Sequence, residues 1–505
     1  MKNNRSTGPD EVPNELLKNA GSEFIKTYTN IINKSFENGQ KIDCLTIGDI
    51  IPIPKPGKEK GPVTSLRPIT LLNSVRKILS LITLKRIEQK VNSFIGPTQH
   101  GYMEGVGCED IIWAQKILTS LVLKKKWSYK KMGIDMSRAF DTIKRRKILT
   151  LLSEAGCTRD EVALVRYLLS NTLIKIKIEK ERSISIETSL GSGQGDSLSG
   201  TLFTLYLAGA IKHLRQAIKQ LEIPFTNEHM PLEMEYVDDC DFIGENIDDL
   251  KQMLPKIEEV FAEWNLTVNP TKTEYVDFTV SEDPKKRGTE EWRKCSTLGS
   301  LACSKKDIER RIILANTAYG KLKRVWKTKI IPDHLKLRIY DSLVISILMY
   351  NSGTWAVPSN VAEKLDTCHR KHLRDLLRVK WQDKIKNEKL YEMAKTFSIT
   401  SRMGKARWRI IGKVLRLPIE RPASLALKFA INKMQKLPSR RGRPTTNLFD
   451  MIDKDIKRKL NGLSLMTNFE EINEVASDPK RWSQLWDKKY KRHTYPRSNL
   501  QSYLF

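Results

Sequence analysis

Apolar residues recur at helical spacing from Asn73 to Val91, which predicts a helix there, after a stretch punctuated by Pro and Gly at Ser6–Pro9 and Pro52–Pro62. Between residues 96 and 280 the pattern changes. Short runs that read as strands (Met132–Asp135, the alternating Ile174–Ile178 and Ser183–Glu187, Met234–Tyr236, Phe242–Ile243) are set among helical segments, one of them amphipathic from Leu198 to Leu221. This mixture predicts an α+β domain built on an antiparallel sheet. Ser281–Lys294 is polar and reads as a loop. From Asp307 onward the pattern is mostly helical, broken at Pro332, Pro358, Pro418, Pro422 and Pro438–Pro444.

Composition adds a compartment and a partner. A chain of 505 residues that is 40% hydrophobic has room for several cores, between two and four domains. Its first residues carry no apolar segment, and the longest apolar run, around Leu343–Tyr350, is far too short to span a bilayer, so no membrane is expected. Seven cysteines without a CxxC pair argue against a disulfide framework or a zinc finger; a reducing location, cytoplasmic, nuclear or both, is expected. Cys368, His369 and His372 match no zinc spacing and are read as ordinary helix residues. The net charge of +29 favours a polyanionic partner, and residues 361–505 hold 34 basic against 15 acidic residues, so that stretch is expected to bind nucleic acid.

The chemistry comes from three carboxylates. Asp135 stands at the end of an apolar strand, and Glu235-Tyr236-Val237-Asp238-Asp239-Cys240-Asp241-Phe242 reads as a hairpin with acids at its tip. Adjacent acids repel one another unless cations neutralise them. Two Mg²⁺ ions about 3.5–4 Å apart, or Mn²⁺ in their place, would do so and would clamp both oxygens of a phosphoryl transfer. An Asp-Asp pair alone is more often a solvated turn; Tyr236 and Phe242 on either side favour a packed hairpin.

The order of these pieces resembles the reverse transcriptases of non-LTR (LINE-type) retrotransposons. Tyr236-Val237-Asp238-Asp239 is similar to the family's Y-x-D-D box, Asp135 to Asp141 to its D-x-S-x-A-F-D box, and Gly193-Gln194-Gly195-Asp196-Ser197-Leu198-Ser199 to its Q-G-x-P-L-S box. Ser6-Thr7-Gly8-Pro9-Asp10, Arg67-Pro68-Ile69-Thr70-Leu71-Leu72, Gln99-His100-Gly101-Tyr102 and Asn269-Pro270-Thr271-Lys272-Thr273 resemble four further family segments. The resemblance implies a right-hand polymerase: fingers and palm over 1–300, a helical thumb over 301–360, then a basic, mostly helical C-terminal region over 361–505. The implied activity is RNA-directed DNA polymerisation, adding dNTPs to a primer 3′-hydroxyl on an RNA template, with a DNA primer or target as the other partner.

The same resemblance implies individual roles. Asp135 and Asp238 would bind both metals, with Asp239 supporting the site. Lys272 would protonate departing pyrophosphate, Phe140 would act as a steric gate against ribonucleotides, and Gln194, Gly195, Lys55 and Arg67 would hold the dNTP. Asp141 is read instead as a helix-start cap, Asp196 as the cap of the helix after it, and Asp241 stays outside the site. Asp196-Ser197 and Gly200 depart from the family pattern, which predicts a more mobile loop, and Met103–Cys108 lack the family's usual template contact. Leu298-Gly299 and the Asp307–Lys323 helix fit a primer grip and thumb, where Lys321, Lys323 and Arg324 beside Trp326 would track phosphates. Arg440-Arg441-Gly442-Arg443-Pro444 resembles an AT-hook core, with Arg441 and Arg443 reaching DNA, and Lys488–Arg492 could be a nuclear-import signal.

LINE-type proteins usually also carry an endonuclease, and none is expected here, so the chain reads as a 5′-truncated copy. A different class of function is then a domesticated nucleic-acid-binding protein without polymerase activity. A group II intron-type or telomerase-like reverse transcriptase is the other alternative.

Overall fold

The computed structural model describes residues 1–40, 42–55, 57, 59, 61–170, 172–177, 183–219, 233–283, 285–441 and 445–487. Its main strands are β1 (Ile47–Pro54), β2 (Leu66–Leu72), β3 (Tyr129–Ile134), β4 (Thr172–Lys177), β5 (Ser183–Thr188), β6 (Glu233–Tyr236), β7 (Asp239–Gly244) and β8 (Glu274–Phe278). The helices used below are α1 (Ser74–Phe94), α2 (Cys108–Lys124), α3 (Ser199–Lys219), α4 (Ser304–Lys321), α5 (Ser359–Leu376), α6 (Ile399–Arg416), α7 (Pro422–Lys436) and α8 (Leu448–Lys459). Among the described residues no helix is long and apolar enough to cross a membrane.

Contacts divide the chain into two units, one of residues 1–107, 132–219 and 233–275, the other of 108–131 and 276–505. These bounds differ from those expected at 300 and 360. The reason lies in α2, where thirteen positions from Asp110 to Val122 are buried on every side. With polar Asp110, Gln115 and Lys116 buried among its apolar residues, α2 has no open face over this stretch and packs against α7 and α8.

In the first unit, sheet order β2-β1-β4-β5 forms one layer, with β1 antiparallel to β2 and parallel to β4. A second sheet, in which β3, β7 and β6 are neighbours in that order, carries the acidic hairpin. Its core joins Met132 and Ile134 of β3, Leu202, Phe203 and Tyr206 of α3 and Phe242 of β7. Thr158 and Glu161 close a reciprocal capping box on the helix Arg159–Leu169. The segment Gly8-Pro9-Asp10 starts α1: Asp10 accepts from the Ser74 amide at 2.8 Å, and a Cβ on Gly8 would meet the Leu72 carbonyl oxygen at 2.3 Å.

In the second unit, the hairpin Ser296–Thr297 with Ser300–Leu301 turns at Leu298 (φ 46) and Gly299 (φ 76) and runs into α4. The Gly299 carbonyl accepts from Arg310 and Arg311. Ser281–Lys294 is mostly loop, as expected, but ends in a short 3₁₀ turn that buries Trp292. The expected ends of the β4 run at Ile178 and of α3 at Leu221 lie outside the described residues.

Candidate active site

Strand β3 ends at Ile134, so Asp135 leaves the sheet at its edge. The chain beyond is fixed by pairing of Met136 and Ser137 with Val268 and Thr267, and by the Asn269 amide donating to the Asp135 carbonyl at 2.9 Å. That pairing delivers the turn Pro270–Lys272, which Asn269 caps through its side chain. Lys272 then places its ammonium 2.6 Å from the Asp135 carboxylate, with both side chains partly open to solvent.

The hairpin β6–β7 pairs Tyr236 with Asp239, leaving Val237 and Asp238 at the tip. Val237 has φ 59, a left-handed backbone that a β-branched residue adopts only when its surroundings impose it. The imposing group is Gln99, which is 1% exposed. Its Oε1 accepts from the amides of His100, Gly101 and Val237 at 3.0, 2.7 and 2.9 Å. Its Nε2 donates to the Val237 carbonyl at 3.3 Å. The residues flanking Gln99 also run beside β6, the His100 amide donating to the Glu235 carbonyl and the Glu235 amide to the Thr98 carbonyl. The sequence marked this segment only as a family box; its bracing role had no local signal.

Burial lifts the Asp238 carboxyl above its usual range, and the neighbouring Asp135 lifts it further, while its own amide and Lys272 pull it down. Asp135, Asp238 and Lys272 are therefore within electrostatic reach of one another. Asp239 follows at the start of β7 and is exposed. Glu235, fully buried beneath the tip, is pushed up to about 7 by desolvation and then by Glu233, against a hydrogen bond from Thr98.

Two carboxylates fit a divalent cation that also binds substrate phosphates, since Mg²⁺ takes one or two carboxylates and completes its shell with phosphate and water, and Lys272 neutralises Asp135 here. Among the described residues no three His, Cys, Asp or Glu side chains converge on one point. The expected third ligand, Asp239, is thus not gathered with Asp135 and Asp238 into a preformed protein cage.

The residues expected to hold the nucleotide come from three other places. Phe140 stacks on Phe203 with ring centroids 4.5 Å apart, which fixes its ring. The Gln194 carbonyl accepts from the Thr70 amide at 2.6 Å, tying its loop to β2. Gly195 has φ +127, and a Cβ there would meet the Thr70 carbonyl oxygen at 2.4 Å, so both backbone and space require glycine. Lys55 follows β1, its amide donating to the Ser65 carbonyl, and Arg67 lies exposed on β2 opposite Ile53.

Three expectations change here. Asp141 caps nothing: the helix Ala139–Thr142 starts at Arg138 without a side-chain cap. Its carboxyl, raised by desolvation, instead takes a hydrogen bond from the Gln194 side chain and feels Arg138 and Lys55. Asp196 accepts from the Leu198 amide ahead of α3 and also forms a buried ion pair with Arg76 of α1 at 3.2 Å, so the loop is tied down where mobility was expected. A Cβ on Gly200 would lie 2.3 Å from the Tyr102 ring, which accounts for glycine at that departure.

Arg145, which the sequence did not single out, staples the same loop. Its guanidinium donates to the carbonyls of Leu169, Thr188, Leu190 and Gly191 and to the hydroxyls of Thr172 and Thr188, at 2.5–3.0 Å. Burial, then Arg76, lowers it to about 10.

Residues 53–300 match the family described as "Reverse transcriptase (RNA-dependent DNA polymerase)". They form a reverse transcriptase domain. The chain is 25% identical over 234 residues to the Retrovirus-related Pol polyprotein from type-1 retrotransposable element R2 of Popillia japonica, which is 45% of this chain and 32% of that protein. It is 24% identical over 287 residues to the RNA-directed DNA polymerase from mobile element jockey of Drosophila funebris, 55% of this chain and 30% of that protein. A third relative is the Pol polyprotein of type-2 element R2DM of Drosophila melanogaster, 22% identical over 73% of this chain and 35% of that protein. The chain spans about a third of the length of these curated relatives. Among solved structures, apo telomerase from Candida tropicalis aligns over 92% of this chain and 73% of that one, with TM-score 0.40 and 12% identity.

In this domain Asp238 and Asp239 stand on the β6–β7 hairpin and Asp135 at the end of β3. Beyond it, Lys321, Lys323 and Arg324 are exposed, but α4 stops at Lys321 and Trp326 turns inward to stack on Tyr319, so no aromatic accompanies that basic face. His369 and His372 are buried helix residues bonded to the Tyr340 hydroxyl at 2.9 and 3.3 Å. Burial holds them near 3 and 4, so both stay neutral at physiological pH.

The AT-hook resemblance fares differently from one residue to the next. Arg440 is packed against the end of α2, donating to the Val122 carbonyl at 2.9 Å and, through its amide, to the Lys124 carbonyl at 3.0 Å. Arg441 is exposed, and its carbonyl accepts from Arg287. Arg443 lies outside the described residues, as does Lys488–Arg492.

Proposed function

We propose that this chain is an RNA-directed DNA polymerase that adds dNTPs to a primer 3′-hydroxyl on an RNA template, using two divalent ions, Mg²⁺ or Mn²⁺. The observation that carries this reading is the gathering of Asp135, Asp238 and Lys272 beneath a hairpin tip that Gln99 holds in place. Bound metal would supply charge neutralisation at the attacking and leaving oxygens. Asp135 and Asp238 would hold it, and Asp239 would add negative charge beside them. Lys272, whose ammonium lies 2.6 Å from Asp135, would give a proton to the departing pyrophosphate. Phe140, fixed by Phe203, excludes a 2′-hydroxyl, and Gln194 and Gly195 shape the floor beneath the base and sugar. Lys55 and Arg67 neutralise the triphosphate.

RNA template, DNA primer or target and dNTPs are the proposed partners, and the cytoplasm, the nucleus or both the place of action. The test is extension of a DNA primer on an RNA template with Mg²⁺, wild type beside Asp135→Ala at matched folding. Loss of extension in the variant is expected. Extension that survives in Asp135→Ala overturns the assignment.

A further inference from the structure

The second unit contains two adjoining cavities, of about 750 and 640 Å³, that share the wall Val357-Pro358 and Thr445–Asn447. Together they make one continuous groove, lined wholly by residues of 108–131 and 276–505, which include none of Asp135, Asp238 and Asp239.

Four helices begin on it. The first turns of α4 (Ser304), α5 (Ser359), α6 (Ser398 and Ser401) and α8 (Asn447) all line its walls. A helix start presents amides with no partner inside the helix and a partial positive charge. Neither α4 nor α5 has a side-chain cap, so their amides face the groove without that partner.

The charges agree with the dipoles. Three acids line the groove, and each is engaged: Asp455 with Arg407 and Arg458 at 2.7 and 2.8 Å, Asp450 with Lys124 at 2.6 Å, Glu309 with Lys364 at 3.9 Å. Lys305, Lys306 and Lys454 form no ion pair among the described residues. Arg407 is 5% exposed and lines the larger cavity, and its buried Nη1 has no hydrogen-bond partner among the described residues. A buried guanidinium with a donor to spare, in a cavity on which three helices start, is a site built for anions.

We propose that this groove binds the phosphodiester backbone of a single-stranded nucleic acid, independently of the polymerase site. Length and lining favour a strand over a small anion, because donors are spread along two joined cavities rather than converging on one point. Ser, Thr, Lys and amide donors are those that contact phosphate and sugar. Among the described residues of the lining the tryptophans, Trp292 and Trp486, are buried and offer no exposed ring for base stacking, which predicts binding blind to sequence.

The experiment uses the full chain and a fluorescent 20-nucleotide oligo(U), with oligo(dT) and a duplex as further arms, measured by anisotropy across a salt series. Lys305→Glu with Lys454→Glu, both exposed, should weaken single-strand binding at least tenfold. It should also reduce the slope of log affinity against log salt by about 1.4, two phosphate contacts at about 0.7 each. Lys389→Glu, on another face, should change neither. Extension from a saturating, pre-annealed primer–template should persist in the double variant, which separates failure here from failure of the polymerase assignment. Unchanged affinity and slope in the double variant overturn the proposal, as does a wild-type preference for duplex over single strand.

Discussion

Gln99 grips Val237 from both sides, accepting from its amide at 2.9 Å and donating to its carbonyl at 3.3 Å. The grip holds a β-branched residue in a left-handed conformation and so aims Asp238. Removing it leaves the Val237 amide without its buried partner, at about 1–3 kcal/mol, and lets the tip relax. Gln99→Ala should lower kcat for primer extension at least tenfold while the dNTP KM changes little, because the acids move and the triphosphate contacts do not. Steady-state kinetics on a fixed primer–template would show it; a rise confined to KM would place Gln99 at the nucleotide instead.

Phe140 owes its position to Phe203, 4.5 Å away. Phe140→Ala should raise incorporation of ribonucleotides relative to dNTPs by tenfold or more, read by single-nucleotide extension with paired dNTP and rNTP. Phe203→Leu removes the stacked support and should give a smaller change in the same direction. Unaltered discrimination in Phe140→Ala would assign the ring to the core alone.

The acidic hairpin and β3 were legible in the sequence because alternating apolar residues frame the acids and all the needed information is local. Strands β1 and β2 were not, because Pro52 and Pro54 read as turn residues. In the sheet Pro52 lies opposite Pro68, so two residues that lack an amide hydrogen face each other. The Gln99 brace joins positions 136 and 138 residues apart, beyond any periodicity. Asp141 was misread for the same reason: it sits near a helix start, but its partner Gln194 arrives from another box.

The Arg76–Asp196 pair offers a test of what holds the Gln194 loop. Both side chains are nearly excluded from solvent, at 4% and 6%. Breaking one partner of a buried pair strands the other charge, at about 3–5 kcal/mol. Asp196→Ala should therefore lower Tm sharply, whereas Arg76→Met with Asp196→Leu should recover much of the loss. If thermal melts show the single variant within 1 °C of wild type, the pair contributes nothing to loop placement.

Glu235 gives the fold a pH dependence with a definite sign. Its carboxyl is pushed up to about 7 in the folded chain, first by burial and then by Glu233, whereas unfolded it titrates near its ordinary value of 4.5. Between those values the folded state binds more protons than the unfolded one, so stability is greatest below pH 4.5 with respect to this group and falls as pH rises through 7. Glu233 titrates with it, also raised by burial and opposed by Arg215, so the change is spread over the pair. Glu235→Gln keeps an oxygen to accept from the Thr98 hydroxyl and removes the charge that must be desolvated. Its denaturation midpoint should match wild type near pH 5 and exceed it near pH 8. Parallel pH profiles for the two proteins would mean that Glu235 is ionised and fully compensated throughout, with Arg215 serving both carboxylates.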